Sequence, residues 1–292
     1  MGRTKYPIVP GHEIVGKVGA VGADMTKHTV GAGCLVDACL ACGACHDGDE
    51  QYCEKGSVGT YGGTKPVIGG PTHGGYSKQI VVREEFVLKV SDALNRAEVA
   101  PLLCAGITSW SQLKHWSVKA GDKVGVIGLG GLGHMGVKFA VAMGCDVVMI
   151  TTSEAKGADA NRLGAHDVLV STDRAAMKAH RGRFNFQLNT VPLKHDLNPY
   201  PMLQARNGTM VLVCAIEPLE PMHGGLLLAG RRRVAGSGIG GIAKTQEMLD
   251  FCAEHGVTSD VEVIAMKDIN AAYDHVVKGD VKYRFVIDMA TL

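Results

Sequence analysis

The sequence predicts an α/β protein in which a doubly wound parallel sheet is joined to a second, smaller and mostly-β unit. Three observations carry that prediction. From Cys104 to about Gly241, apolar runs ("KVGVIG", "DVVMI", "DVLV", "FNFQLN", "TMVLV", "RVAGS") alternate with helical stretches. Strands of that kind, separated by helices, form a parallel sheet covered on both faces. Residues 1 to about 100 instead carry short Val/Ile/Gly segments, "HEIVGKV", "GGYSKQIVV" and "FVLKV", with little helical periodicity. The composition agrees: 39 glycines in 292 residues with 5% aromatics favour tight strand-to-helix turns, and 46% hydrophobic residues suffice for two cores.

The expected division is 1–103 plus 242–292 for the smaller unit and 104–241 for the parallel sheet. The tail reads helix "KTQEMLDFCAEHG", strand "DVEVI", helix "INAAYDHVVKG" and strand "YRFVID", with Gly256 and Gly279 as helix stops. With 30 basic and 29 acidic residues the formal charge is +1, which gives no electrostatic attraction to nucleic acid or anionic lipid. No apolar run approaches the roughly 18 residues of a membrane span, and the first residues lack a signal-peptide pattern. A cytoplasmic protein acting on small molecules is expected, with neither nucleic acid nor membrane as partner.

Taken in order, the first chemical motif is "PGHEIVG", a turn carrying His12 and Glu13 into a strand. Imidazole and carboxylate both suit zinc, and a catalytic zinc takes three protein ligands with a position left for substrate. Next, "CLACGACHDGDEQYC" sets Cys39, Cys42, Cys45 and Cys53 in a C-x2-C-x2-C-x7-C array. Four thiolates close a tetrahedral structural zinc site; a disulfide framework and an iron–sulfur cluster are the competing readings. Cys34, Cys145, Cys214 and Cys252 fall outside that spacing and read as buried thiols. "LLCAGIT" then places Cys104 before a helix. Alone, Cys104 would be a small core residue and His12 a polar turn residue.

"KVGVIGLGGLGHMGVKFAVAMG" places Gly128, Leu129, Gly130, Gly131, Leu132 and Gly133 between an apolar strand and a helix that closes at Gly144. Gly128 permits the turn, Gly130 lets the backbone approach a pyrophosphate, and Gly133 allows close helix–strand packing, with helix N–H groups facing the anion. This is a dinucleotide fingerprint in its required context. The end of the next strand reads Thr151, Thr152, Ser153, Glu154, Lys156. Glu154 lies past the strand, where it serves the following helix turn, while Thr152, Ser153 and Lys156 offer hydroxyls and a cation to a 2′-phosphate. NADP is therefore favoured over NAD. "RRR" at 231–233 reads as a solvated edge entering a strand.

Together with "HDLNPY", "IGGIAKTQEMLDFCAEHG" and "VKYRFVIDM", these motifs make the chain resemble the zinc-dependent medium-chain alcohol dehydrogenases over nearly its whole length, in the branch of cinnamyl alcohol dehydrogenases and broad-specificity aldehyde reductases. The resemblance implies a Rossmann domain with a GroES-like catalytic domain, zinc and NADP as cofactors, reversible oxidation of a primary alcohol to an aldehyde, and a homodimer. It implies that His12 and Cys104 are catalytic-zinc ligands with Glu13 beside them. Thr108, Asn189, Thr190, Val191 and the segment Ser237 to Ile239 would meet the cofactor.

Relative to the family pattern, the GroES-like domain is expected to be incomplete at its N-terminus. The missing segment would carry a cysteine, the third zinc ligand, and a Ser/Thr hydroxyl that begins the proton relay. A run after Lys27, "HTVGAGCLVDAC", is also shorter than the family's. Two function classes follow: an NADP-dependent alcohol dehydrogenase or aldehyde reductase, with His12, Glu13 and Cys104 as a reduced ligand set, and a homologue that keeps NADP and a structural zinc without catalysis.

Overall fold

A computed structural model describes residues 5–25, 31–32, 35–64, 70–214 and 217–292. Residues 28–30, 33 and Cys34 of the run after Lys27 lie outside the described residues. The chain divides into two compact units, Met1–Ile107 with Ile239–Leu292, and Thr108–Gly238. These compact units meet at 107/108 and 238/239, beside the expected breaks at 103/104 and 241/242. The first break falls inside an unbroken helix, Ala105–His115, which a change in composition cannot locate.

In chain order the first unit opens with strands β1 (Ile14–Val15), β2 (Gly31–Ala32) and β3 (Leu35–Asp37), helix α1 (Gly43–His46), strands β4 (Val58–Gly59) and β5 (Val87–Leu88), and helices α2 (Arg96–Val99) and α3 (Ala105–His115). A three-stranded antiparallel sheet runs β1-β2-β5, and β3 pairs with β4. "GGYSKQIVV" forms no strand. Its first N–H groups are taken by the turn before His12: Gly74 donates to the Val9 carbonyl at 2.7 Å, Gly75 to Gly11 at 2.8 Å and Tyr76 to Pro10 at 3.0 Å. That pairing is irregular, and it brings backbone so close that a Cβ on Gly74 would lie 2.2 Å from the Gly11 oxygen.

The second unit supplies β6 (Lys123–Ile127), α4 (Gly133–Ala142), β7 (Asp146–Thr151), α5 (Gly157–Arg162), β8 (Asp167–Val170), α6 (Arg174–Ala179), β9 (Phe184–Asn189), β10 (Gln204–Leu212), α7 (Gly225–Leu228) and β11 (Arg233–Gly236). All six strands are parallel, in the order β11-β10-β9-β6-β7-β8. Counted within the unit this is 3-2-1-4-5-6, the dinucleotide-binding order, with its direction reversing between β6 and β9. The strands read as continuous apolar runs because both faces are covered: Val124, Val126, Val147, Val148 and Met149 are all fully buried. One core layer joins Ile127, Ile150, Leu169, Phe184, Leu203 and Met210.

The chain then returns to the first unit as α8 (Ile242–His255), β12 (Val261–Ala265), α9 (Ile269–Lys278) and β13 (Arg284–Asp288), with β12 and β13 parallel. Gly256 and Gly279 end the two helices in left-handed conformation, as their placement in the sequence predicts. Among the described residues no helix is long and apolar enough to cross a membrane.

The start of α8 is fixed by the cysteine segment. Buried Glu50 accepts the Ile242 N–H on Oε2 at 3.0 Å, and Lys244 Nζ pairs with Asp49 at 2.6 Å. A carboxylate at a helix N-terminus satisfies an orphan donor and favours the dipole. Replacing Glu50 by alanine is expected to cost about 1–2 kcal/mol, read as a lower urea midpoint with an unchanged slope.

Candidate metal and dinucleotide sites

His12 and Glu13 sit between the turn described above and β1. Gly11 holds φ +95°, and a Cβ there would meet the Tyr76 ring at 2.6 Å, so the turn needs glycine both for its dihedral and for its packing. From a distant part of the chain, buried Leu102 and Leu103 anchor a 3-10 turn that ends at Cys104. A ligand atom from each of His12, Glu13 and Cys104 lies within 4.8 Å of the others. Cys104 hydrogen-bonds His12 and holds its imidazole above the ordinary value, against its burial. Burial pushes the Glu13 carboxyl up, opposed chiefly by Arg284, whose guanidinium forms an ion pair with Glu13 Oε1. A cavity of about 540 Å³ opens beside them, lined also by Tyr61, Tyr76 and Tyr273.

In the cysteine lobe the Sγ atoms of Cys39, Cys42, Cys45 and Cys53 lie within 4.8 Å of one another. Separations are 3.5 Å for Cys42–Cys45, 3.8 Å for Cys39–Cys45 and 4.0 Å for Cys42–Cys53. Backbone N–H groups point at the sulfurs: Cys39 donates to Cys53 at 3.4 Å and Glu54 to Cys42 at 3.4 Å. Such donors, from Cys45 and Glu54, lower the Cys42 thiol to about 6, while burial pushes Cys45 up to about 12. Of the cysteines outside the lobe and the His12 cluster, Cys145 and Cys252 are buried as expected, whereas Cys214 is only half-buried because it lies past the end of β10.

In the second unit Gly128 leaves β6 with φ +91°. A Cβ on Gly133 would lie 1.9 Å from the Gly128 oxygen, so the turn folds directly onto the start of α4. Gly130 is exposed, and a Cβ there would meet nothing within 4 Å, which leaves that side of the turn open. Gly131 and Leu132 are half-buried, and the Leu132 carbonyl accepts from Ser109 Oγ at 3.2 Å. Lys156 comes back to the same turn, its Nζ 3.3 Å from the Leu129 carbonyl, with Thr152 exposed and Ser153 half-exposed before it. On the other side of the switch point, Thr190 Oγ1 donates to Ile127 O at 2.9 Å and stands 3.0 Å from Gly128 O, followed by Val191. Replacing Gly133 by alanine is expected to cost about 1–3 kcal/mol through overpacking and to abolish NADPH binding, measured by unfolding and by fluorescence titration.

The remaining candidates are more scattered. Thr108 is buried on α3, and Ser237 Oγ accepts from Gln112 Nε2 at 2.8 Å. Ile239 belongs to the first unit and adopts φ +38°, a strained conformation for a β-branched residue. Arg232 and Arg233 donate to the main-chain carbonyls of Gln204, Leu226 and Asn207 and hold the β11 edge.

Residues 1–92 match the alcohol dehydrogenase GroES-like domain and residues 131–254 the zinc-binding dehydrogenase family. Aldehyde reductase YahK of Escherichia coli is 52% identical over 99% of this chain and 84% of its own length. NADP-dependent alcohol dehydrogenase C of Mycobacterium bovis is 48% identical over 100% of this chain and 85% of its own. The chain belongs to the zinc-dependent medium-chain alcohol dehydrogenases, in the cinnamyl alcohol dehydrogenase and aldehyde reductase branch. Among solved structures of the family, a cinnamyl alcohol dehydrogenase of Sorghum bicolor superposes with a TM-score of 0.94 at 43% identity, covering 99% of this chain and 84% of that one. One from Helicobacter pylori, complexed with NADP(H), gives 0.89 at 40% identity over 98% and 83%.

The donor sets fit the metal this family is named for. Tetrahedral zinc at about 2.3 Å from each sulfur spaces the sulfurs by about 3.8 Å, as the lobe does; all four cysteines are free thiols, and sulfurs this close leave room for one ion. At His12, Glu13 and Cys104, an imidazole, a carboxylate and a thiol converge within 4.8 Å, a set of groups that all suit zinc. Sequence reasoning missed three residues that hold these sites. Arg284 pairs with Glu13 across 271 positions, Glu50 reaches Ile242 across 192, and His195 meets Asn189 from a loop without periodicity. Each lies inside a quoted motif, Arg284 in "VKYRFVIDM", Glu50 in the cysteine run and His195 in "HDLNPY", but none of those motifs names its partner.

Proposed function

We propose that this protein is a zinc- and NADP-dependent oxidoreductase that interconverts primary alcohols and aldehydes by hydride transfer. The observation that carries the reading is the convergence of His12, Glu13 and Cys104 ligand atoms within 4.8 Å in a chain of this family. Bound there, zinc supplies Lewis-acid polarisation of the substrate oxygen, and NADP supplies the hydride acceptor. The imidazole of His12 and the thiolate of Cys104 would hold the ion. Glu13, ion-paired with Arg284, orients that pair or joins it. In the second unit, the open side of Gly130 admits the pyrophosphate, Gly128 to Gly133 set the turn, and Lys156 with Thr152 and Ser153 neutralises the 2′-phosphate. Thr108, Asn189 to Val191, Ser237 and Ile239 would border the nicotinamide half. Cys39, Cys42, Cys45 and Cys53 hold a structural zinc.

Relatives named as an aldehyde reductase and an NADP-dependent alcohol dehydrogenase favour this reading over that of an inactive homologue. We further read the protein as a cytoplasmic homodimer, which cell fractionation and a light-scattering mass of twice the chain's would support. The deciding assay follows NADPH consumption by metal-replete protein with an aromatic aldehyde. Turnover with NADPH well above that with NADH is expected; binding of NADPH without any turnover would sink the reading in favour of the non-catalytic alternative.

A further inference from the structure

The loop after β9 contains a hydrogen-bonded assembly that neither the strand pattern nor the glycine turn requires. Asn189 is fully buried; its Oδ1 accepts the Val191 N–H at 3.1 Å, and its Nδ2 lies 3.0 Å from Nε2 of His195. On the other side of that imidazole, Nδ1 is 2.7 Å from the Leu193 carbonyl. These contacts admit one arrangement of protons. A carbonyl only accepts, so Nδ1 carries the hydrogen; an amide nitrogen only donates, so Nε2 offers its lone pair. Neutral His195 therefore bridges Asn189 to Leu193, and with Nδ2 committed to it, Oδ1 must face Val191.

What the bridge secures lies directly against the glycine turn. A Cβ on Gly128 would come within 2.9 Å of Val191 Cγ2 and 3.1 Å of Thr190 Oγ1. Thr190 N also donates to Ile127 O at 2.9 Å, so the loop and the turn meet where the sheet changes direction. Farther along, Lys194 is anchored by its N–H to Glu217 at 2.8 Å and by Nζ to Glu220 at 2.8 Å. The stretch between these anchors is held by His195.

We propose that His195 is a positioning residue for the dinucleotide: through Asn189 it fixes the 189–193 loop as a rigid wall beside the Gly128 turn. This rests on the cofactor reading above. A side chain that cannot both accept from Asn189 and donate to Leu193 leaves a buried amide without its partner, frees it to rotate, and releases the Val191 N–H. Glutamine can do both; leucine, of similar bulk, can do neither.

The test compares His195→Leu and His195→Gln with the wild-type holoenzyme. NADPH binding is titrated by nicotinamide fluorescence, KM is measured separately for NADPH and aldehyde, and amide exchange at Val191 is followed in the ligand-free protein. His195→Leu is expected to raise the NADPH Kd and KM about tenfold, with metal content and the aldehyde KM unchanged and Val191 exchange accelerated. His195→Gln is expected to remain within about twofold of wild type. Equal losses in both variants, or an unaltered NADPH Kd in His195→Leu, would overturn the proposal. If the wild-type protein itself bound no NADPH, the cofactor reading would fail, and so would the functional half of this proposal; unaccelerated exchange at Val191 in His195→Leu would overturn the lock independently.

Discussion

Replacing His12 by alanine is expected to lower kcat/KM for aldehyde reduction by about a thousandfold. Polarisation of a carbonyl by a bound metal supplies several kcal/mol to a transition state that develops charge on oxygen, and His12 is one of three groups whose ligand atoms converge. The same variant should retain NADPH binding, because the glycine turn and Lys156 belong to the other unit. Metal analysis should find one equivalent fewer per chain. A variant that kept its full metal complement and its activity would remove His12 from the ligand set.

The second large effect is expected in the cysteine lobe. Cys45→Ser should lower the melting temperature by about 10 °C, from loss of about 4 kcal/mol of metal-linked folding energy. Cys45 is buried and lies within 4 Å of two other sulfurs, so its substitution removes a sulfur from the centre of the group. The lobe also caps α8 through Glu50, and the disturbance should therefore spread beyond residues 39–53. Acid should act in the same direction. A thiol depressed from 9.0 to about 6 favours the folded lobe fully above its ordinary value, and that contribution is lost as pH falls through about 6. Metal release followed by a chromogenic chelator should accordingly rise as pH drops below 6, and Cys42→Ser should release metal already at neutral pH.

Much of this architecture is legible in the chain because it is encoded locally. Each strand of the parallel sheet is a separate apolar run, and "GLGGLG" stands where strand gives way to helix. Gly256 and Gly279 mark the ends of α8 and α9, and four cysteines within fifteen positions state their own ligand geometry. The convergence of His12, Glu13 and Cys104 is legible only through their motifs, since nothing in the neighbourhood of Cys104 says that His12 will meet it. "GGYSKQIVV" illustrates a failure of pattern. Its alternation suits a strand, but its N–H groups are claimed by carbonyls of residues 9–11, a tertiary choice that local alternation cannot register. Arg284 is harder still. It looks like one more charged residue entering a strand, and its worth comes from a carboxylate 271 positions earlier.

The Glu13–Arg284 pair gives the molecule an order of assembly. The unit holding Thr108–Gly238 is continuous, so once the ribosome has passed that stretch it can close on its own contacts. The unit around it cannot. Its opening motif must wait, with the Glu13 carboxylate in solvent, while the inserted sheet is made and until β13 emerges to receive it. The four cysteine sulfurs come together from residues 39–53 alone, whereas the environment of His12 and Glu13 matures last. The two groups of side chains therefore reach their final surroundings at different times during synthesis.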